Sequence, residues 1–422
     1  MNRINNLIMK SKKSKLNNIL IFILFILQSV GITLAILVNQ SIKDVTIYLA
    51  ISFIIISTIS NIFLPKITKG DQTFILLVNL LYTISLIMMI RLNNNISRNH
   101  ILWYFIGLFV YIVSFNMMNI FDNFFKDKFI LFFIITLGLF IITLVFGKLT
   151  GGAKNWIKIG PISVQPSEFA KISFTFMIAS YYFNYEKYTK MSFGKYYLVV
   201  ATYIFTFLFF IQGELGTAIL FFGIFISSMF VFEKRIAFII SNLLLGLIGI
   251  YLASLVLGHI KVRFNVWLDP WSDANNKGYQ IIQGLFSIAN GGFFGSGIGL
   301  GRPDFIPVVE SDYILAAIME EMGIFLGFSI ILIYIMLFYK SIKVSLEFNN
   351  KYYSSIALTI GLIYSLQALI MFGGILKLIP LTGITTPFLS YGGSSTISNF
   401  ILLGILQYLT RRIGNNYEKH NE

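Results

Sequence analysis

The feature that most constrains this chain is a series of long apolar runs separated by short polar segments. About 20 mostly apolar residues suffice for a helix to cross the hydrocarbon of a bilayer. With a hydrophobic fraction of 56% and only 12% charged residues, the chain lies outside the soluble globular class. We count twelve such runs, at residues 18–38, 46–64, 73–91, 100–120, 129–146, 168–184, 196–212, 215–232, 235–258, 312–339, 354–376 and 390–410.

The runs indicate helices, because they lack the alternation of apolar and polar residues that marks the shorter strands of a membrane β-barrel. We therefore predict an all-α polytopic membrane protein with about twelve transmembrane helices. The first run continues past signal-peptide length without a small-residue cleavage site, so we expect it to stay as a helix. The absence of cysteine excludes disulfides, cysteine-ligated metals and a thiol nucleophile.

The distribution of Lys and Arg predicts how the chain crosses the membrane. A basic head within residues 1–17 and the Arg411-Arg412 pair near the other end favour both termini in the cytoplasm. The formal net charge of +14 then reflects this bias and attraction to membrane lipids with anionic headgroups. No basic domain stands free of the membrane, so we expect no nucleic-acid partner.

Two polar segments on the predicted outer side are longer than the other loops. The first covers residues 147–167, and the second is the large extracellular loop 259–311. Within the second, apolar residues at helical spacing over 278–289 predict an amphipathic helix lying in the membrane interface. A glycine-rich stretch at 290–301 follows, and it permits tight turns and close approach of the backbone to a ligand.

Asp312 stands where the large loop meets the next apolar run. An acid there is often an N-cap or a first-turn partner of the helix dipole. However, the same loop places Arg263, Lys277 and Arg302 on the same side of the membrane. An acid beside basic groups at a membrane edge is a functional candidate, and the combination favours that interpretation.

Glu168 and Lys171 have the i,i+3 spacing of a helical pair. They can form a satisfied structural ion pair, or they can help to orient a phosphate group. Lys154 and Lys158 lie just upstream, and clustered lysines are suitable point-charge partners for a pyrophosphate. Both interpretations stay open at this stage.

Four further polar residues are candidates for a site. Glu214 lies between two spans with almost no loop, where structural and functional roles are equally open. Glu320 lies two turns beyond Asp312 and is followed by Glu321. The positions of both residues favour a role in packing or in helix-end contacts. Lys377 is a lone cation at a span end that can snorkel. Ser394 belongs to a small-residue segment that breaks and restarts a helix, which predicts irregular backbone buried in protein or lining a cavity.

Four motifs follow one another over about residues 130–412. They are Gly-Ala-Lys-Asn-Trp-Ile at 152–157 with Gln-Pro-Ser-Glu-Phe-Ala-Lys at 165–171, Glu-Leu-Gly-Thr at 214–217, the segment 267–323, and 380–395, which begins Pro-Leu-Thr-Gly-Ile. In this order they resemble the SEDS family of FtsW, RodA and SpoVE. The resemblance implies a peptidoglycan glycosyltransferase of the bacterial cytoplasmic membrane that polymerises lipid II on the outer face, for division, elongation or sporulation. It also implies an undecaprenyl-linked glycan product and a class B penicillin-binding protein as partner.

The family's essential Asp stands in a Thr-Asp-Phe motif, which aligns with residues 311–313 here and makes Asp312 the catalytic candidate. By this resemblance, Asp312 deprotonates the attacking sugar hydroxyl, directly or through a bound divalent cation such as Mg²⁺ or Mn²⁺. The basic residues named above would stabilise the leaving pyrophosphate. The chain departs from the family pattern at five positions: Val308 for Glu, Glu310 for His, Gly213-Glu214 for Pro-Asp, and Ser163 for an Arg.

The domain organisation predicted from these motifs has four parts. Residues 1–17 form a cytoplasmic basic head, and 18–128 form N-terminal helices that include two more than the family's usual count. Residues 129–412 form the SEDS-like core, and 413–422 form a cytoplasmic tail.

Two alternative functions use the same features of the sequence. One is a lipid II flippase, for which Asp312→Asn leaves translocation intact, and the other is a non-catalytic scaffold of the cell-wall machinery.

Overall fold

The structure is a computed structural model that describes residues 2–39, 41–150, 152–160, 162–233 and 235–421. Helices dominate this part of the chain, and three short 3₁₀ helices occupy Gly194–Tyr196, Pro270–Asp273 and Pro303–Phe305. The α-helices are α1 Asn2–Val38, α2 Asp44–Thr68, α3 Gln72–Leu92, α4 Asn94–Phe125, α5 Phe129–Phe146, α6 Pro166–Phe183, α7 Tyr185–Lys190, α8 Tyr197–Gln212, α9 Leu215–Phe232, α10 Ile236–Val256, α11 Gly258–Leu268, α12 Tyr279–Gly291, α13 Val309–Asp312, α14 Ile314–Leu346, α15 Lys351–Ile375 and α16 Gly393–Asn421.

The predicted class, an all-α polytopic membrane protein, is confirmed. Within the described ranges, ten helices are long and apolar enough to cross a membrane, namely the apolar part of α1 from Leu16, and α2, α3, α4, α5, α8 extended from Gly194, α9, α10, α14 and α15. The count of twelve is not confirmed, because α6 and α16, which contain the runs at 168–184 and 390–410, are not among these ten helices. Most of α6 is buried among other helices, so it needs little apolar surface toward lipid.

Hydrogen bonds between side chains join α1 and α2 to the rest of the bundle. Gln28 donates to Thr83 on α3 over 3.0 Å and accepts from Ser57 on α2 over 3.0 Å. Deeper along α3, Asn79 donates to Asn61 on α2 over 2.8 Å. In lipid there is no hydrophobic driving force for one helix to bind another. Polar contacts of this kind and close packing therefore hold membrane helices together. The first two helices are therefore integral parts of the bundle.

A small antiparallel sheet occupies the segment 147–167, for which the sequence predicted only a polar loop. Its strands are β1 Lys148–Thr150, β2 Ala153–Ile159 and β3 Ile162–Val164, with β2 in the centre. Lys148 pairs with Trp156, and Lys158 pairs with Ser163. The sheet connects the end of α5 to the start of α6, and its strand pairing fixes the backbone conformation of the residues between these helices.

The loop 259–311 contains three helices, α11, α12 and α13. The amphipathic helix predicted over 278–289 is confirmed as α12. Its apolar residues Ile281 and Ile282 are buried in the protein, and a Cβ on Gly284 would lie 2.4 Å from the ring of Tyr313. This apolar face packs against α14, and the expectation that the helix lies in the membrane interface stays a prediction.

The glycine-rich stretch fills a break in α14 at Gly323, whose φ of 88° is left-handed. The break leaves backbone N–H and C=O groups without hydrogen-bond partners in the helix, and lipid cannot supply such partners. Gly297 N donates to the carbonyl of Glu321 over 2.9 Å, and Ile324 N donates to the carbonyl of Gly292 over 3.0 Å. The glycine-rich loop and the broken helix therefore supply hydrogen-bond partners for each other's backbone groups.

We predict that Gly323→Ala lowers the melting temperature of the purified protein in detergent. A left-handed φ costs a residue with a Cβ about 1–3 kcal/mol, and a Cβ here would lie only 2.4 Å from the carbonyl oxygen of Phe293. Gly138→Ala is the matched control, since nothing lies within 4 Å of a Cβ at that helical position. Equal melting temperatures for both variants would contradict this packing.

Candidate active site

The segment 376–392 connects α15 to α16 without regular structure, yet it lies partly buried in the bundle. Its carbonyl groups accept hydrogen bonds from side chains on surrounding helices. Gln367 on α15 donates to Thr385 over 2.6 Å, and Ser85 on α3 donates to Leu389 over 2.5 Å. Irregular backbone is tolerated at such depth only where protein groups or water satisfy it. The segment is therefore held in one conformation from several sides.

The same segment positions the short helix that carries Asp312. Tyr391 N donates to the carbonyl of Glu310 over 2.9 Å, and the Ser390 hydroxyl donates to the carbonyl of Ser311 over 2.6 Å. Asp312 ends α13, and the N-cap residue of α14 is Tyr313. The N-cap interpretation of Asp312 is therefore wrong, and its Oδ1 accepts from the Ser311 hydroxyl over 2.8 Å.

Arg263 on α11 is held by the same segment, and it faces Asp312 across the space beside Gly383, which we call the cleft. Its Nη1 donates to the carbonyl of Thr382 over 2.8 Å and to that of Leu381 over 3.3 Å. A Cβ built on Gly383 would lie 3.5 Å from Oδ2 of Asp312 and 3.7 Å from Nη2 of Arg263. The carboxylate and the guanidinium thus both face the space beside Gly383, although they form no ion pair with each other.

The electrostatics suit Asp312 to proton transfer. Burial raises the pKa of the Asp312 carboxyl above its usual value, and repulsion from Glu310 adds to that effect. The hydrogen bond from Ser311 and the charge of Arg263 oppose the shift. Burial also lowers the pKa of Arg263, which the charge of Asp312 counteracts. A carboxylate with a raised pKa beside a fixed cation can accept a proton while an anion forms nearby.

The structure places Glu168 and Lys171 beneath the cleft, in the interior of the bundle. Lys171 Nζ lies 2.7 Å from Glu168 Oε2, and the two side chains are 1% and 7% exposed. Ser398 on α16 donates to Glu168 over 2.8 Å, and Lys171 donates to Gln367 over 3.0 Å. Because Gln367 also binds Thr385 of the irregular segment, this network ties α6, α15 and α16 to the floor of the site.

Glu214 forms a second buried cluster with the sheet and the start of α6. Its Oε1 accepts from Asn155 over 2.5 Å and from Gln165 over 2.7 Å, whereas Oε2 is buried without a partner. Burial raises the pKa of Glu214 to about 7, against the effect of these hydrogen bonds. Gln165 N donates to the buried hydroxyl of Ser394 over 3.1 Å, so this candidate also lies in the cluster.

The remaining basic candidates are more dispersed than the sequence suggested. Within the described part of the chain, none of these basic side chains forms a hydrogen bond or ion pair with Asp312. Lys154, for example, donates to the carbonyl of Leu144 over 2.5 Å. The Lys377 carbonyl accepts from Trp267 over 3.0 Å, which fixes its backbone beside α11. The basic candidates outside the cleft are Lys154, Lys158, Lys277, Arg302 and Lys377.

Glu320 and Glu321 hold the glycine-rich loop, which is the contact role that their position favoured. Glu320 Oε1 accepts from Arg302 N over 2.9 Å, and Glu321 Oε2 accepts from Gly299 N over 3.0 Å. Arg91 on α3 donates to Glu321 over 3.0 Å, a partner that was not predicted from the sequence. An Arg at the end of an apolar run was the signal that could have revealed it.

With this geometry in place, comparison with known proteins decides the family. The family model for FtsW, RodA and SpoVE, described as cell cycle protein, matches residues 71–414. The chain belongs to this family. The match begins after α1 and α2. That residues 18–128 include two helices more than the family's usual count stays a prediction.

Curated relatives of this chain come from several bacteria. Peptidoglycan glycosyltransferase RodA of Mycobacterium tuberculosis H37Rv is 32% identical over 272 residues, which cover 60% of this chain and 57% of the relative. Stage V sporulation protein E of Bacillus subtilis is 34% identical over 269 residues, covering 63% and 73%. Probable peptidoglycan glycosyltransferase FtsW of Wigglesworthia glossinidia brevipalpis is 31% identical over 329 residues, covering 75% and 85%. The chain thus spans less than two thirds of the mycobacterial relative.

Solved structures share the fold. One chain, from a study entitled "Structural coordination of polymerization and crosslinking by a peptidoglycan synthase complex", has a TM-score of 0.69 at 19% identity, covering 82% of this chain and 98% of that one. Rod shape determining protein RodA of Thermus thermophilus has a TM-score of 0.54 at 20% identity, covering 81% and 97%. At such low identity these likenesses concern the architecture of the bundle.

We predict that Lys171→Met lowers the melting temperature strongly, because it leaves the Glu168 carboxylate buried and unpaired, at a cost of about 3–5 kcal/mol. The double variant Glu168→Gln with Lys171→Met removes both charges and should recover much of the loss. The check is a double-mutant cycle of melting temperatures in detergent. Purely additive losses would show that the pair does not support the floor of the site.

We also predict that Glu214→Gln changes how stability depends on pH. Folding raises the pKa of Glu214 from 4.5 to about 7, so its contribution to stability is complete below about pH 4.5 and is lost as pH rises through about 7. Gln has no such ionisation. The melting temperature of the variant minus that of the wild type should therefore increase between about pH 5 and pH 8, and parallel curves would refute the raised pKa.

Proposed function

We propose that this protein is a peptidoglycan glycosyltransferase that polymerises lipid II into glycan strands at the outer face of the cytoplasmic membrane. Family membership and the names of the relatives support the activity. The observation that carries the proposal is that the half-buried Asp312 carboxylate and the Arg263 guanidinium face the same space beside Gly383. A general base next to a fixed cation is what transfer of a sugar from a pyrophosphate requires.

In the proposed reaction, Asp312 accepts the proton of a sugar hydroxyl on one substrate chain. The freed oxygen forms a bond to the anomeric carbon of the other chain, and the bond from that carbon to the lipid pyrophosphate breaks. Negative charge accumulates on the leaving pyrophosphate, where the Arg263 guanidinium can stabilise it. Because the carbonyls of residues 381 and 382 hold Arg263, this charge is positioned before the reaction begins.

A divalent cation, Mg²⁺ or Mn²⁺, is compatible with this site. The described part of the chain contains no group of three or more His, Asp or Glu side chains that could hold a metal ion by themselves. Mg²⁺ is commonly held by one or two carboxylates together with substrate phosphates. Asp312 would be the protein ligand, and the ion would lower the pKa of the bound hydroxyl and neutralise phosphate charge.

The remaining predictions belong to the same proposal. The termini lie in the cytoplasm, and the end of the bundle that carries Asp312 faces outward, toward the site of wall synthesis. The partner is a class B penicillin-binding protein that crosslinks the product. The chain resembles a protein studied as part of a peptidoglycan synthase complex that joins polymerization and crosslinking, and this supports such an assembly.

We predict that Asp312→Asn lowers the rate of lipid II polymerisation at least about 100-fold, because a positioned general base contributes roughly 10²–10⁴-fold. The measurement is glycan chain formation from labelled lipid II by purified protein, with and without its transpeptidase partner and a divalent cation. Asp269→Asn is the matched control, since it makes the same change in the same loop. Asn caps the short helix after residue 269 as well as Asp does.

The two variants separate the possible functions. Full activity of Asp269→Asn together with loss in Asp312→Asn supports the proposed role. Equal polymerisation by wild type and Asp312→Asn would exclude Asp312 as the base. If no protein makes glycan chains but vesicles containing wild type translocate lipid II, a flippase replaces the transferase.

A further inference from the structure

A polar cavity of about 730 Å³ lies at the end of the bundle opposite to Asp312. Its walls come from the last residues of α6, from α7, and from the start of α15. α6 begins beside the candidate active site and has 18 residues, which correspond to about 27 Å of helix rise. The cavity is therefore remote from the cleft, and the proposed reaction does not use it.

The cavity carries an excess of positive charge. Lys187 and Lys190 on α7 and Lys351 on α15 line it, against the single acid Glu186. In the part of the chain that the structure describes, neither Lys187 nor Lys190 forms an ion pair. The ammonium of Lys351 lies 5.1 Å from the centroid of the Tyr185 ring. These ammonium groups are available to a ligand with phosphate charge, for which lysine is a common partner.

Exposed apolar side chains occur in the wall of this basic cavity and in the chain just after α7. Phe183 at the end of α6 is 40% exposed, and Phe193 just after α7 is 73% exposed. Met191 between them is also exposed. Lysines combined with exposed aromatic and apolar residues at the ends of spanning helices are typical of the headgroup level of a membrane. The surroundings therefore favour a ligand that has a lipid tail as well as a charged head.

We propose that this cavity binds the headgroup of an anionic phospholipid, with its phosphate among Lys187, Lys190 and Lys351. The acyl chains would lie along Phe183 and the adjacent apolar surface. Basic pockets between membrane helices are known to take such headgroups, and each lysine near the membrane surface adds to the attraction. With the predicted orientation, the lipid belongs to the cytoplasmic leaflet. A soluble phosphate compound shares the headgroup's charge, and the test must separate the two.

The test is native mass spectrometry of the full-length protein in a neutral detergent. The probes are dioleoylphosphatidylglycerol, dioleoylphosphatidylcholine as the zwitterionic lipid, and inorganic pyrophosphate as the soluble competitor. The cavity variant replaces Lys187, Lys190 and Lys351 with Gln. A matched control replaces three exposed lysines at the same end of the bundle, each of which also lies over an aromatic ring, with Gln: Lys66, Lys128 and Lys343.

We expect wild type to bind phosphatidylglycerol in preference to phosphatidylcholine, and the cavity variant to bind it about tenfold more weakly. The control variant should bind like wild type, and a Lys→Arg version of the cavity variant, which keeps the charge, should retain most of the binding. An equal loss in the control variant would show that net charge alone is responsible. Unchanged binding by the cavity variant would overturn the site, and full displacement of the lipid by pyrophosphate would replace the lipid with a soluble ligand.

Discussion

The need to satisfy an irregular backbone inside a membrane protein determines most of this structure. The segment 376–392 has no helix of its own, so its carbonyl and amide groups need partners from other parts of the chain. Those partners include Arg263, which donates to the carbonyls of residues 381 and 382, and the carbonyl of Glu310, which accepts from the backbone N–H of Tyr391. The groups that stabilise the segment are thus also the groups that shape the candidate active site.

Buried polar layers then connect this site to the bundle. The Glu168–Lys171 pair lies beneath it and reaches the irregular segment through Gln367. The Glu214 cluster lies beside it and holds the sheet against the start of α9. Charged groups in such places are costly unless they are paired. We infer that they are retained because they fix the relative positions of helices whose apolar surfaces alone would not specify one arrangement.

The sequence predicted the class and most spans because apolar runs of about 20 residues depend on local composition. It also singled out Asp312 and Arg263 as candidates, since charges are scarce in this chain, and the structure brings both beside Gly383. It did not find the strands of the sheet, because β1 and β3 have only three residues each and the seven residues of β2 do not alternate strictly between apolar and polar. Nor did it show that Gly383 faces Asp312, because such contacts arise from tertiary packing between residues far apart in the chain. The polar residues of α6 could be placed inside the bundle only once its neighbours were known.

The central claim is that glycosyl transfer takes place in the cleft between Asp312 and Arg263. The most direct measurement is a cryo-electron microscopy structure of the protein bound to an unreactive phosphonate analogue of lipid II together with an acceptor glycan. The account predicts the acceptor hydroxyl within about 2.6–3.2 Å of the Asp312 carboxylate, as a general base requires, and the phosphonate group beside Arg263. An acceptor bound elsewhere, with its hydroxyl beyond the reach of Asp312 even through one water molecule, would contradict the account.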